Sequence, residues 1–170
     1  MNVAAEPLSR QLIRKMTWKV REIAGCDNVL YFPIVHFIEW VLANPENEMK
    51  IEFEIVEPDE MIDTYGTTNT GRNVIKIRND VYERAVEGNP RDRFTLCHEL
   101  GHYLLHQPES ISYARGRIPV YRSPEWQANT FAAELMAPMH LVKNMSIEEI
   151  MVQCGMSKQA ATIQYNEIHK

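Results

Sequence analysis

The order of apolar and polar residues predicts two amphipathic helices near the start of the chain. Apolar positions recur every three to four residues over 8–24 and again over 33–44, which is the spacing of one buried helix face. Gly25 closes the first segment, and Pro33 suits the first turn of the second. Arginine and lysine lie between the apolar positions of the first helix, and we interpret them as a solvated outer face rather than as a docking surface for an acidic partner.

From Lys50 the pattern changes to alternation, which predicts a β-strand. The apolar residues up to Ile55 alternate with acidic ones, so this strand should bury one face. Residues 65–73 are rich in glycine, threonine and asparagine and predict a hairpin-like turn that leads into a strand at 74–78. If that second strand lies at a sheet edge beside an active site, its free backbone groups can pair with an extended peptide; otherwise it serves the sheet alone.

The helical period returns over residues 92–106, with Asp92 placed to cap the helix. His98 and His102 lie four residues apart in this segment, and Glu99 directly follows the first histidine. On a helix this spacing puts both imidazoles on one face, where they can bind one metal ion at about 2.0–2.1 Å. Glu99 projects beside them and can accept a proton from a water molecule on the same ion.

The alternative for this segment is a core helix that carries these polar residues by chance. We reject it because two histidines and a glutamate at metal-ligand spacing, beside an apolar stripe, are costly to bury without a partner. His106 does not qualify as a third ligand, because the metzincin class places its third histidine further along the chain and after a glycine. We expect His106 to lie at the helix end, where it is favourably placed against the helix dipole.

A second metal-binding helix is predicted over 123–136, with Ser123 as its N-cap and Pro124 in its first turn. It offers two carboxylates, Glu125 and Glu134, and their separation along the helix places them on opposite faces. The face of Glu125 carries small and apolar residues, whereas the face of Glu134 is polar. We therefore assign Glu125 to the metal and Glu134 to solvent.

Two further sets of side chains are candidates for supporting roles. Asn129 lies one turn after Glu125 and can accept a hydrogen bond from a ligating histidine, which would fix the ring nitrogen that meets the ion; an ordinary surface amide is the alternative. The loop between the two helices carries residues that can stabilise the oxyanion, and the sequence does not choose among them. These are Tyr113, Arg115, Arg117 and Tyr121.

Residues 146–170 have the outline of a helix-turn-helix. Ser146 and Glu149 form a capping box, and the helix that they open ends near Gly155. The following helix has no arginine and the charges of the segment nearly balance, so direct DNA binding is not expected. We predict a metallopeptidase domain over 1–145 and, after it, a helical pair over 146–170 that packs on this domain or forms a docking surface for a partner protein.

Composition and charge limit the remaining functions. The 170 residues fit one domain, and 23 acidic against 18 basic side chains give no overall attraction to nucleic acid or anionic membranes. Cys26, Cys97 and Cys154 are widely spaced in apolar surroundings, which suits buried free thiols in a reducing compartment. The sequence shows neither a signal peptide nor an apolar run of membrane-spanning length. Together these features predict a cytoplasmic protein.

Two segments resemble the signature blocks of the ImmA/IrrE family of prokaryotic and phage metallopeptidases. They are RFTLCHELGH at 93–102 and EWQANTFAAELMAP at 125–138, and the resemblance covers roughly residues 30–145. It implies an α+β fold, namely a small mixed α/β zincin-like metallopeptidase domain of the gluzincin type. Such a domain has a short, antiparallel-rich sheet and an HExxH helix, and in some relatives a C-terminal helical pair follows.

The resemblance also implies chemistry and partners. It implies one zinc ion per chain on His98, His102 and Glu125, with Glu99 as the catalytic base and manganese as the alternative ion. Members of this family cleave, or act with, helix-turn-helix repressors, and some are toxins of toxin–antitoxin pairs. We therefore expect a zinc-dependent endopeptidase whose substrate is a helix-turn-helix repressor or an antitoxin. The alternative is a regulatory interaction protein, a toxin or anti-repressor, which keeps the metal for structure and has no use for Glu99.

Overall fold

Short strands form two separate sheets in the part of the chain that the computed structural model describes, residues 1–46, 48 and 51–170. The strands are β1 (Asn2–Ala5), β2 (Glu52–Val56), β3 (Gly66–Asn69), β4 (Val74–Arg78) and β5 (Ile111–Ala114). One sheet pairs β1 with β5 in antiparallel register. The other has the order β2-β4-β3, with β2 parallel and β3 antiparallel to β4. The predicted α+β class with mainly antiparallel pairs is confirmed.

Helices connect and cover these sheets. They are α1 (Arg10–Ile23), α2 (Ile34–His36), α3 (Asn79–Val86), α4 (Pro90–Leu105), α5 (Pro124–Met136), α6 (Met139–Val142), α7 (Ile147–Cys154) and α8 (Lys158–Ile168). A π-helical segment, Phe37–Leu42, continues α2, so the helix predicted from Pro33 is confirmed. Short 3-10 turns cover Pro108–Ser110 and Val120–Arg122. Within the described ranges, no helix combines the length and apolar character needed to cross a membrane.

The strand predicted at 74–78 is confirmed as β4, but it is the central strand of its sheet and offers no free edge to a peptide. Val74, Ile75 and Ile77 are all buried. Val74 and Ile75 point to opposite faces, so both faces are covered at the start of this strand, as expected for a strand inside a sheet. The edge beside α4 is β3, which occupies the first part of the predicted turn and is short and polar, as edge strands commonly are.

The strand predicted from Lys50 is confirmed as β2, although Lys50 itself lies outside the described residues. The expected buried face is only partly present. Ile51, just before the strand, is 3% exposed, but Ile55 near its far end is 43% exposed. Because β2 is an edge strand, this end of its apolar face remains in contact with solvent.

α4 lies at the centre of the core and packs mainly on α5. Three of its apolar side chains have no exposed surface: Leu96, Cys97 and Leu100. The helix is capped by Asn89, whose side chain accepts hydrogen bonds from two backbone N–H groups of the first turn. Asp92, the predicted cap, is instead buried within that turn, where it pairs with Arg84 at 2.8 Å.

The cations of α1 were expected to be solvated, and this is wrong for three of them. Arg21 is fully buried and donates to the backbone carbonyl of Leu135 at 2.8 Å, among others. Arg10 and Arg14 pair with Glu134 of α5 at 2.8 and 3.0 Å. Glu134 is 0% exposed, so its assignment to solvent is also wrong. Long arginine side chains can reach buried acceptors from the flank of a helix. The spacing of apolar residues therefore does not predict that these arginines are buried.

The C-terminal helices contact the core through a buried arginine. The capping box predicted for the first of them is present at the start of α7. Arg93 of α4 is 1% exposed and donates to the carbonyls of Cys154 and Gly155, each at 2.9 Å. This contact joins the end of α7 to α4. The division of the chain into 1–145 and 146–170 stays a prediction.

The three cysteines are buried and free, as predicted. Burial raises the pKa of the Cys97 thiol to about 12, and Arg93 and Arg21 offset this shift only in part. A thiol with such a pKa stays protonated at neutral pH. Because the thiolate is the reactive form, Cys97 has a structural role.

Candidate metal centre

His98 and His102 bring two ring nitrogens to one point, as their spacing on α4 predicts. Their Nε2 atoms lie 2.9 Å apart, and the two rings are nearly perpendicular, at 78°. The side chains are 17% and 18% exposed, and their remaining exposed surface lines an open cavity. Two imidazole nitrogens therefore point at the same accessible spot.

Glu125 supplies a third donor from the first turn of α5. Its Oε2 atom lies 3.4 Å from Nε2 of His98, and its Oε1 atom lies 3.2 Å from Nε2 of His102. The three ligand atoms all lie within 4.8 Å of one another. Hydrogen bonds with His102 and His98 hold the pKa of the Glu125 carboxyl well below its usual range, although the side chain is 71% exposed. The carboxylate is thus ionised where the two imidazoles meet.

Glu125 reaches the histidines because α4 and α5 approach closely at Gly101. A Cβ atom on Gly101 would lie 3.1 Å from Cβ of Phe131 and 3.2 Å from Cα of Ala128. Ser123 caps α5 with its side chain, which fixes where the first turn of that helix begins. The position of Glu125 therefore depends on one small residue between the helices and on one capping residue.

The second ring nitrogen of His98 contacts the amide that the sequence singled out. Nδ1 of His98 lies 2.9 Å from Oδ1 of Asn129. An amide oxygen can only accept, so Nδ1 donates this hydrogen bond. The lone pair of His98 is then on Nε2, which faces Glu125.

A buried chain of side chains fixes the second ring nitrogen of His102. Nδ1 of His102 lies 2.9 Å from Nδ1 of His106, and Nε2 of His106 lies 2.9 Å from Oε1 of Gln127. Nε2 of Gln127 donates to the backbone carbonyls of Glu6 and Tyr121 at 2.8 and 2.7 Å. His106 and Gln127 are both buried. This chain links the metal-site helix to the segments before α1 and α5.

The direction of each hydrogen bond in this chain follows from its anchored end. Because the side-chain N–H groups of Gln127 donate to two carbonyls, its side-chain oxygen is the atom that contacts His106, and it must accept a hydrogen bond from Nε2 of that ring. Burial lowers the pKa of His106 to about 4, so the ring is neutral and its Nδ1 can only accept. His102 must then donate from Nδ1, which leaves the lone pair on its Nε2. His106 lies at the end of α4, as expected, where it is the C-cap residue. Because its ring is buried and neutral, it brings no positive charge to the helix dipole.

Glu99 lies beside the three candidate ligands and is oriented by β3. The hydroxyl of Thr68 donates to Oε2 of Glu99 at 2.6 Å and contacts its backbone carbonyl at 3.1 Å. Gly66 permits this approach, since a Cβ atom there would lie 2.9 Å from Cγ of Glu99 and 2.8 Å from Cδ1 of Ile77. Glu99 as a whole residue is only 6% exposed, yet it lines the cavity. The edge strand therefore fixes the carboxylate without covering it.

The cavity over these residues has a volume of about 620 Å³ and runs along β3. Thr67 and Thr68 line it on the strand side, and Thr95 lines it on the α4 side. No lysine or arginine occurs among the described residues that line it. Of the four candidates for stabilising the oxyanion, only Arg117 borders a cavity that includes Glu125, and that cavity is the neighbouring one.

The donor set fits a divalent cation. With both second nitrogens donating, His98 and His102 direct two lone pairs at each other across 2.9 Å, a repulsive arrangement unless a positive charge lies between them. Burial opposes a charge on His98, but Glu125, Glu99 and Asn129 outweigh it and raise the pKa of this ring above its ordinary value. Two imidazoles and one carboxylate, open to a cavity on the remaining side, are the ligand set of catalytic zinc sites.

Of the residues that orient the site, the sequence predicted Asn129 but not Thr68, His106 or Gln127. Thr68 falls within the segment 65–73 that predicts a turn, and Gln127 lies on the polar helix face that also carries Glu134. His106 had a usable signal, because it follows His102 by four residues on the same helix. No local pattern identifies Thr68 or Gln127, since both reach the site from other elements.

Comparison with known families agrees with this geometry. The family model of peptidase M78, described as the IrrE N-terminal-like domain, matches residues 57–164, which is more than half of the chain. The matched range contains β3, α4 and α5, and so all of the residues placed at the centre above. No curated protein matches the chain.

Proposed function

The chain belongs to peptidase family M78, the family of the IrrE N-terminal-like domain, and from this premise we propose that it is a zinc-dependent endopeptidase that cleaves a protein substrate. His98, His102 and Glu125 hold the ion, with manganese as the alternative metal. Asn129 and His106 keep the two imidazoles in the tautomer that presents Nε2. The substrate is a helix-turn-helix repressor or an antitoxin, the partner class that the resemblance to ImmA/IrrE proteins implies.

The observation that carries the proposal is the placement of Glu99. Its carboxylate accepts a hydrogen bond from Thr68, borders the cavity and adjoins the ligand triangle without being part of it. A metal site that only supports the fold is closed by protein ligands and needs no additional carboxylate. A site that activates water needs a base at this position.

The proposed reaction assigns each residue one task. Bound zinc supplies an activated water molecule and polarises the peptide carbonyl. Oε1 of Glu99, the oxygen that Thr68 leaves free, accepts the proton of the attacking water and then delivers it to the leaving amine nitrogen. Thr68 keeps the carboxylate in one orientation through both transfers, which spares the reaction a reorganisation step.

The edge of β3 is the proposed docking edge for the substrate backbone. β3 pairs with β4 on one side only, and its residues Gly66, Thr67 and Thr68 line the cavity. An extended peptide can add to such an edge through main-chain hydrogen bonds. A peptide bound in this way passes directly beside Glu99.

The decisive test is Glu99→Gln. We expect this variant to fold and to bind zinc as the wild type does, because the amide keeps the size of the side chain and Glu99 is not a ligand. Cleavage of a proteome-derived peptide library, followed by mass spectrometry, should fall about 10²–10⁴-fold, since the base is lost. Undiminished cleavage by Glu99→Gln would exclude the proposed mechanism, and a wild-type protein with zinc bound but no cleavage would favour the regulatory alternative.

A second test concerns the third ligand. Glu125→Ala should lose zinc in metal analysis of the purified protein, because the two histidines alone hold it weakly. Glu109→Ala serves as the control, since Glu109 is exposed and lies away from the ligand group. Equal zinc content in Glu125→Ala and the wild type would overturn the ligand assignment.

A further inference from the structure

We propose that the cavity on the other side of Glu125 is the second half of the substrate cleft, and that Arg117 binds a carboxylate of the substrate there. The proposal rests on the proposed peptidase function and adds a recognition element to it. Glu125 is the one residue that borders both cavities in the described part of the chain. A substrate bond held at the metal ligands therefore has an open cavity on either side.

The second cavity is comparable in size to the first, about 590 Å³ against about 620 Å³. Its walls differ in chemistry from the threonine-rich walls beside β3. Val3, Ile118 and Pro124 give it an apolar surface. Val3 is 44% exposed and lies on β1 beside this space. Partly exposed apolar side chains around a concave surface suit an apolar side chain of a substrate.

The loop that carries Arg117 is fastened to β1. The side-chain amide of Asn2 donates to the backbone carbonyl of Gly116 at 2.7 Å. Gly116 has a φ of +81°, a left-handed conformation that glycine adopts without strain. The next residue, Arg117, is thus held at the rim of the second cavity.

Arg117 is the lone lysine or arginine among the described residues that line the two cavities. Its guanidinium makes no hydrogen bond or ion pair with any described residue, in contrast to Arg10, Arg14 and Arg84. A guanidinium presents a planar fork of donors that matches a carboxylate. The carboxylate can belong to an aspartate or glutamate side chain or to the C-terminus of the substrate, and the chemistry of binding is the same.

Peptide binding to the Glu99→Gln variant tests the proposal without requiring cleavage. The probes are fluorescein-labelled decapeptides with leucine beside glutamate in an alanine and threonine background, amidated at the C-terminus. A second set replaces glutamate by glutamine, and a third combines glutamine with a free C-terminal carboxylate. Fluorescence anisotropy gives the Kd of each peptide set. The Kd for Glu99→Gln is compared with the Kd for the double variants that also carry Arg117→Gln or Arg115→Gln.

We expect Arg117→Gln to weaken binding of a carboxylate-bearing set by about fivefold, the value of a partly exposed ion pair, and to leave the amidated glutamine set unchanged. If Arg117→Gln weakens binding of the glutamate set alone, Arg117 binds a side-chain carboxylate. If it weakens binding of the free-acid set alone, Arg117 binds the C-terminal carboxylate. Arg115→Gln is the matched control, because Arg115 lies in the same loop but borders neither cavity. Its effect should stay within about twofold for all three sets.

A second variant tests the apolar wall. Val3→Trp should fill part of the cavity and weaken leucine-containing peptides more than peptides in which alanine replaces that leucine. The proposal is overturned if Arg117→Gln affects all three sets equally or not at all, or if none of the peptides binds. If the wild type cleaves peptides but Arg117→Gln does not change their binding, this subsite is overturned and the peptidase function stands. If peptide binding depends on Arg117 but the wild type cleaves none of the peptides, the subsite stands and the peptidase function is overturned.

Discussion

At the scale of single residues, the candidate centre depends on hydrogen bonds that set the tautomer of each histidine. Asn129 does this for His98 directly, whereas His102 is set through His106 and Gln127. Residues that orient a ligand in this way contribute to metal affinity although they never touch the ion. Glu99 depends on Thr68 in the same manner.

Gln127→Leu tests this indirect control. Leucine cannot accept from His106, so His102 loses the partner that holds its lone pair on Nε2, and zinc affinity should fall about 10–100-fold. A competition titration against a chromophoric chelator measures this change. Gln107→Leu is the control, since Gln107 donates to the carbonyl of Tyr103 and lies outside the chain of contacts. Unchanged affinity in Gln127→Leu would show that the chain does not orient the ligand.

At the scale of elements, the centre exists because three elements approach one another closely. α4 provides His98, Glu99 and His102, α5 provides Glu125, and β3 provides the Thr68 hydroxyl that orients the Glu99 carboxylate. Both close approaches occur at glycines, Gly101 facing α5 and Gly66 in β3. Glycine at these positions removes the Cβ atom that would keep the backbones apart.

Gly101→Val should separate α4 from α5. Even a Cβ atom here would lie 3.1 Å from Cβ of Phe131, and two further methyl groups leave the helices no room at their present distance. Overpacking of this kind costs about 1–3 kcal/mol of folding free energy. Glu125 would also move away from the histidines, so zinc affinity should fall together with stability. Chemical denaturation and metal titration measure the two effects, and wild-type values in both would contradict the account.

At the scale of the whole molecule, buried charged side chains join the N-terminal, central and C-terminal helices. Glu134 of α5 accepts from Arg10 and Arg14 of α1. Arg10 also contacts the side chain of Gln164, which is fully buried on α8. A polar network of this kind is costly to leave half satisfied, so its members depend on one another.

Glu134→Gln should lower the free energy of unfolding by about 3 kcal/mol. This value lies at the lower end of the cost of breaking a buried ion pair, because Arg10 and Arg14 keep some contact with water. Glu54→Gln is the control: Glu54 pairs with Lys76 on the surface, and its loss should change stability by less than about 1 kcal/mol. Urea denaturation of both variants measures the difference, and equal midpoints would show that the buried pair adds nothing.

The sequence determined the local parts of this protein. The spacing of His98, Glu99 and His102 on one helix needs only the helical period, and the caps and breaks of the main helices are set by neighbouring residues. The helix face on which Glu125 lies is likewise set by one helix alone, and the structure brings this carboxylate to the histidines. The α+β class was implied by the family resemblance rather than by any single local pattern, and the structure confirms it.

Only the tertiary structure decided which faces are covered and which residues meet across elements. Glu134 was predicted to face solvent, but it is buried because α1 and α8 cover that side of α5. Thr68, Gln127 and the cavity at Arg117 were equally out of reach, since each depends on a partner far away in the chain. The periodicity of a sequence shows which face of one element is apolar, but it does not show which other element packs against that face. The contacts between elements determine how the residues of the site are oriented.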